Sequence, residues 1–372
     1  MSSPTAFDPA LGPPAAQGFR MPAEWEPHEA TWLTWPHDAA HWPGKFEPIP
    51  PIWARLVKEL ERGEDVHILI HDDATEAAAT AAMDRAGVIG RRVRRHRVLN
   101  NFSWARDHGP IFVRDGRGRR LITHWRYNAW GEKYAHDLDD AIPAAVARVT
   151  GLPAVDVPMV LEGGAIDVNG CGTLLTTEAC LLHPNRNPQW RRPRIEQTLR
   201  DNLGVSNILW LGEGIAGDDT NGHVDDLARF VGPRTVLAVV EEDAADENYG
   251  PLRENLGRLG RMTDQDGRPL EVIEVPLPAP VVWEGMRLPA SYANFYIGNE
   301  VVLLTTFNDP NDQKAVDALQ RAFPTRRVAA VDARDLIWGL GAFHCVTQQQ
   351  PSGRPAPIAN RKSQISNLKF EI

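Results

Sequence analysis

Four segments of the 372-residue chain join ionisable side chains to glycine. They are Trp104-Ala105-Arg106-Asp107-His108-Gly109-Pro110, Glu162-Gly163-Gly164, Gly217-Asp218-Asp219-Thr220-Asn221-Gly222-His223-Val224-Asp225-Asp226, and Gly339-Leu340-Gly341-Ala342-Phe343-His344-Cys345-Val346-Thr347-Gln348-Gln349. Glycine lets a backbone turn tightly or approach a ligand, whereas the polar neighbours are costly to bury without partners. One site assembled from all four accounts for both features. Cys345 offers a nucleophile, His223 a proton shuttle, and Asp107, Glu162 and Asp225 anions. In an extended run residues i and i+2 share a face, so His223 and Asp225 enter one pocket while Val224 packs behind them. The same alternation turns His344 away from Cys345 and gives it a structural role. Asp218 and Asp226 read as structural.

A metal is not expected. The chain has no HExxH and no paired CxxC, and the prolines beside His37 and His41 disfavour a helix that would bring those two together as ligands. No cofactor is expected either, since no phosphate-cradling loop supports a nucleotide-binding reading. Trp32, Trp35 and Trp42 read as a packing cluster.

The elements that must carry these segments alternate between strand and helix. Helical spacing covers Ile52, Leu56 and Leu60, a strand covers 66–70, and Asp73 caps an Ala-rich helix through Ala86. Strands follow at 110–114, 121–126, 173–177, 207–211, 235–240, 271–275, 301–305 and 327–331, with helices near 138–149, 191–202, 248–260 and 311–322. The rhythm predicts an α/β protein, either a doubly wound sheet or a radial repeat of units about 50–70 residues long.

Composition narrows the partners. A net charge of −9 supplies no positive field for nucleic acid, and the basic run 91–97 reads as a strand with a solvated face. Three cysteines are too few and odd in number for a disulfide framework, and Cys171 and Cys180 read as small buried hydrophobes. No apolar run approaches the ~18 residues of a membrane span. The expectation is a soluble, cytoplasmic protein with no membrane partner; its oligomeric state is left open. Residues 1–18 read as a disordered lead-in, 19–351 as a single catalytic domain and 352–372 as a polar tail.

Together the four segments, in this order, resemble the agmatine deiminase family, a branch of the guanidino-modifying (pentein) superfamily that includes bacterial peptidylarginine deiminase. Phe19-Arg20-Met21-Pro22-Ala23-Glu24-Trp25-Glu26-Pro27-His28 is similar to the family's opening, and Ser291-Tyr292-Ala293-Asn294-Phe295-Tyr296 to a later segment. The resemblance implies a five-bladed, pseudo-symmetric α/β propeller with the site on its axis. It implies hydrolysis of the guanidino group of agmatine to N-carbamoylputrescine and ammonia. A guanidinium is a resonance-stabilised cation, so its carbon yields only to a strong nucleophile in a site that holds the charge. Cys345 would attack, His223 would protonate the leaving ammonia and activate water, Asp107 and Asp225 would clamp the cation, and Glu162 would orient His223. Asp219 would stand near the far end of the substrate, Trp104 would cover its methylenes, and Asn294 would orient it. Two departures border the pocket: the family's Gly-Gly-Gly-Asn-Ile-His-Cys appears as 339–345, with Leu340 and Ala342, and its HxDN as His223-Val224-Asp225-Asp226. They keep open the alternatives of peptidyl-arginine or another alkylguanidine. Amidino transfer and a non-enzymatic binding propeller are further alternatives.

Cys345→Ala or Cys345→Ser is expected to lower turnover at least about 100-fold with the fold intact, since no other group can form the covalent intermediate. Cys171→Ala and Cys180→Ala should be nearly silent in the same kinetic assay.

Overall fold

The computed structural model describes residues 7–354, and the alternation read from the sequence resolves there into one motif used five times. Each sheet opens with a short strand antiparallel to the next, which runs parallel, through a helical crossover, to a third. The second sheet comprises Ile111–Arg114, Arg120–Arg126 and Ala154–Val160. The third comprises Asp167–Val168, Thr173–Thr177 and Asn207–Leu211. The fourth comprises Ala228–Phe230, Thr235–Val240 and Glu271–Pro276. The fifth comprises Tyr296–Ile297, Val301–Thr306 and Arg327–Asp332. The first sheet is built from both ends of the chain: Gln348–Pro351 pairs antiparallel with His28–Thr34, which is parallel to Asp65–Ile70 and that in turn to Val93–Arg97. A separate hairpin, Val282–Trp283 with Met286–Arg287, lies outside the repeat.

Local chemistry explains the crossovers. Ile49–Leu60 carries prolines in its first turn, where no amide partner is lost, and buries Ile49, Trp53, Leu56, Val57 and Leu60 along one stripe. Asp73–Ala86 is capped by Asp72, whose carboxylate accepts the Thr75 amide at 2.7 Å; Asp73, the expected cap, is the first helical residue. Gly87 ends it with φ +70°.

Apolar clusters join the sheets edge to edge. Trp32 and Leu69 meet Phe112 and Ile122 of the second sheet. Val113 and Met159 pack with Leu174 of the third. Leu175 and Leu211 pack with Phe230 and Val236 of the fourth. Leu237 and Val275 share a cluster with Val302 and Leu304 of the fifth and Leu33 and Val66 of the first. Burial at about 25 cal/mol per Å² of apolar surface therefore couples every sheet to two others.

Several expectations need correction. Residues 7–18 are not disordered: they form 3₁₀ turns Pro9–Leu11 and Pro14–Gln17, because Phe7 meets Phe19 at 6.1 Å and the Gln17 amide donates to the Asp8 and Gly12 carbonyls. Trp35 and Trp42 share one cluster, but Trp32 points to the other face of its strand, against His67. Cys180 is buried, whereas Cys171 is exposed beside a turn. The basic run does form a strand, Val93–Arg97, with Arg94, Arg95 and Arg97 exposed. Of the polar tail only 352–354 falls within the described residues. No helix among them is long and apolar enough to cross a membrane.

Candidate active site

Each chemistry-bearing segment sits immediately before the opening strand of a sheet. Asp107 precedes Ile111–Arg114, Glu162 precedes Asp167–Val168, and His223 and Asp225 precede Ala228–Phe230. Asn294 precedes Tyr296–Ile297, and Cys345 precedes Gln348–Pro351. Five equivalent turns of five repeats thus supply one site.

Cys345 lies in a turn, not in an extended run, and Asn294 holds it: the amide Nδ2 donates to Sγ at 3.1 Å while Oδ1 accepts the His344 amide at 2.9 Å. Asn294, expected to orient the substrate, thus contacts Cys345 directly. Burial pushes the Cys345 thiol well above its usual range, and Asp225, Asp226 and Asp107 push it further. Without a cation in the site the thiol keeps its proton.

Asp107 stands on the short helix Ala105–His108; its Oδ1 accepts the Gly164 amide at 3.0 Å and its Oδ2 the Trp130 indole N–H at 2.9 Å. Burial, then Glu162, raises its pKa to about 7. His223 precedes a 3₁₀ turn, Val224–Asp226, so the extended alternation expected there is absent; the turn nonetheless brings Asp225 Oδ1 to 4.0 Å from His223 Nδ1, with Asp107 Oδ1 at 3.8 Å. Among the described residues neither ring nitrogen of His223 has a hydrogen-bond partner. Burial, Arg186 and Lys133 hold its pKa well below the ordinary value, leaving a neutral imidazole.

Glu162 does not bond to His223. Its Oε1 accepts Arg186 Nε at 2.6 Å, both side chains being fully buried, and its Oε2 is unpartnered. Glu162, His223 and Cys180 bring their donor atoms within 4.8 Å of one another, the one group among the described residues that could hold a metal. Arg186 already neutralises Glu162 there, which weakens the group's pull on a second cation.

Beneath the clamp lies a buried ionic frame that the residue-by-residue reading did not find. His344 bridges Asp225 Oδ2 at 2.6 Å and Glu24 Oε2 at 2.9 Å. Glu24 also meets Arg106 at 3.0 Å, Arg229 at 3.1 Å and the Ile297 amide at 2.8 Å. Burial alone would raise the Glu24 carboxyl, but Arg229, His344 and Arg106 hold it well below the carboxylate range. His344 is thus structural, as expected, although through a turn and not through strand alternation. Arg106, adjacent to Asp107, pairs with Glu24 and with Gln348 and Gln349 instead. The only signal for Glu24 in the sequence was its place in the opening segment 19–28.

The remaining expected residues lie farther out. Trp104 is buried against Trp42, centroids 5.5 Å apart, and covers Gly341, where any Cβ would come within 2.6 Å of the indole. Leu340, at a family glycine, has φ +67°. Asp219 is on the rim, where Lys133 Nζ reaches it at 2.8 Å and the Tyr134 hydroxyl at 3.0 Å. Asp218 accepts the Thr220 and Gly222 amides, each at 2.6 Å, as a structural turn residue does.

Gly164 is packed directly against the site, since a Cβ there would lie 2.5 Å from His223 Nδ1 and 2.9 Å from Asp107 Oδ1. Gly164→Ala is expected to lower kcat/KM about 100-fold by displacing both groups, while overpacking costs about 1–3 kcal/mol of stability. Steady-state kinetics beside a thermal melt read the two effects separately.

A family model described as Porphyromonas-type peptidyl-arginine deiminase matches residues 20–351. An agmatine deiminase of Pseudomonas aeruginosa (strain LESB58) is 37% identical over 380 residues, covering 96% of this chain and 100% of that protein. The solved agmatine deiminase of Enterococcus faecalis superposes with a TM-score of 0.86 at 32% identity, over 92% of this chain and 98% of that one. A cysteine-to-serine agmatine deiminase of C. jejuni with substrate bound gives 0.82 at 30% identity, over 90% and 97%. With its model matched over nearly the whole length, the chain belongs to the Porphyromonas-type peptidyl-arginine deiminase family.

Proposed function

We propose that this chain is a hydrolase that removes ammonia from agmatine, leaving N-carbamoylputrescine. The observation that carries the reading is a buried cluster of carboxyls around Cys345 without a protein Lys or Arg bonded to Asp107 or Asp225 among the described residues. Burial raises both carboxyls. A planar guanidinium, with paired N–H donors, satisfies the open Asp225 Oδ1 and draws the proton from Asp107. Cys345, Asp107 and Asp225 are 6%, 5% and 0% exposed, which favours a slender free alkylguanidine over an arginine with its peptide backbone attached. The 37% identity to a full-length agmatine deiminase supports the same choice.

In this mechanism the bound cation lowers the thiol pKa, and the Cys345 proton passes to neutral His223. The thiolate attacks the guanidino carbon. Imidazolium then protonates the amino group, and the C–N bond breaks to release ammonia and a thiouronium on Cys345. Water, giving its proton to His223, adds to the same carbon; the C–S bond breaks, and the thiolate regains a proton. The ammonia leaves as ammonium, so charge and atoms balance. Trp104 and Trp130 would wall the alkyl chain, and Asp219 would face its far end. The five sheets are proposed as blades around this site, a single domain over residues 19–351, because their apolar clusters join them pairwise into a closed series.

Ammonia release from agmatine, free arginine and an internal arginine in a short peptide tests the substrate; agmatine is expected to have the highest kcat/KM, and preference for either arginine form would refute the reading. The pH profile tests the clamp. Burial and Glu162 raise the Asp107 pKa to about 7, and only its anion pairs with the cation. Thus kcat/KM, which reports the free protein, should fall tenfold per unit below roughly pH 7, and a profile flat down to about pH 5 would show that Asp107 does not bind the cation.

A further inference from the structure

The segment Ala129–Glu132 stays in the left-handed region for four successive residues, with φ +47° at Ala129, +58° at Trp130, +101° at Gly131 and +62° at Glu132. Non-glycine residues persist there only when their surroundings over-determine them. Three anchors do so. At the inner end the Trp130 indole donates to Asp107. In the middle Asn185 Nδ2 donates to the Trp130 carbonyl at 3.3 Å and fills the place of any side chain on Gly131, where a Cβ would lie 2.1 Å away. At the outer end Lys133 donates to the carboxylate and the backbone carbonyl of Asp219, and Tyr134 donates to the other carboxylate oxygen. The segment is therefore a strap from the guanidinium clamp to the rim. Lys133 lies close enough to His223 to help hold its imidazole neutral.

We infer that Lys133 is a tail-selecting residue, its ammonium occupying on Asp219 the place that the terminal ammonium of an alkylguanidine would take. The inference rests on the proposed binding of a guanidine with its head at Asp107 and its tail outward. An ammonium-tailed substrate then gains Asp219 only by displacing Lys133, and it meets the displaced charge as a neighbour. A carboxylate-tailed substrate finds in Lys133 a partner that none of the four sequence segments supplies. The built-in ammonium flattens the preference for cationic tails that Asp219 alone would impose. With side-chain exposures of 30% and 34% the pair is partly solvated, so each tail should respond by about two- to fivefold.

The test compares kcat/KM for agmatine, arginine and a neutral-tailed butylguanidine in wild type, Lys133→Met and Lys133→Met/Asp219→Asn, with inhibition constants where turnover is slow. Methionine keeps an apolar stem without the charge. Normalised to butylguanidine, which reports any general disturbance of the strap, the agmatine-to-arginine ratio should rise about tenfold in Lys133→Met, mostly through KM. The rise should shrink with added salt and disappear in the double variant. A ratio within twofold of wild type, or a rise that survives in the double variant, overturns the role of Lys133. Which guanidine wild type prefers is a separate reading, so agmatine could fail as the best substrate while the shift between the two charged tails still decides the matter.

Discussion

The constraint on which the structure turns is the burial of three carboxyls, Asp107, Asp225 and Asp226, around a thiol, with no Lys or Arg among the described residues bonded to any of them. Removing charge from water costs several kcal/mol per group, and like charges nearby add to it. The site meets the cost with protons: the carboxyls and the Cys345 thiol are all pushed toward their neutral forms and His223 is kept neutral. A bound guanidinium would reverse the carboxyl and thiol shifts together while keeping His223 neutral. Binding and activation of the nucleophile thus become one electrostatic event.

Such a site exists only if its walls cannot relax, and the frame behind it supplies that rigidity. Glu24 gathers Arg106, Arg229 and His344 on one buried carboxylate, and His344 passes the restraint to Asp225. Arg186 does the same for Glu162, bonding also to the Thr220 carbonyl three residues before His223. Breaking such a buried pair costs about 3–5 kcal/mol, so the frame is stiff although each pair adds little net stability. Backbone amides and indoles, which carry no net charge, make the direct contacts to Asp107. Positive charge is thereby kept one residue behind the cavity and left for the substrate to bring.

The fivefold repeat explains why distant segments converge. A turn before the opening strand of each sheet occupies the same structural position every time, and the pairing of Gln348–Pro351 with His28–Thr34 closes the first sheet between segments far apart in sequence. The opening strands are also what sequence patterning missed most. Asp167–Val168, Ala228–Phe230 and Tyr296–Ile297 are two or three residues long and buried on both faces, so they show no alternation; the seven-residue strands His28–Thr34 and Ala154–Val160 were missed as well, whereas the other long strands and the crossover helices were read to within a few residues.

From the sequence alone came the element order, the family and the five residues that meet at the site, because glycine, histidine, cysteine and carboxylate clusters in fixed order carry their chemistry in their identities. Their geometry could not be read in the same way. His223 with Asp225, and His344 with Cys345, were assigned by strand alternation, yet both lie in turns, where the direction of a side chain depends on what the turn packs against. Glu24, Arg186 and Lys133 carry no local signal, since a side-chain contact spanning 24 to 320 positions is invisible until the chain has folded. The tertiary structure alone decided which charges are matched within the protein and which are left open, because burial sets the value of a charge and burial is a property of the whole fold.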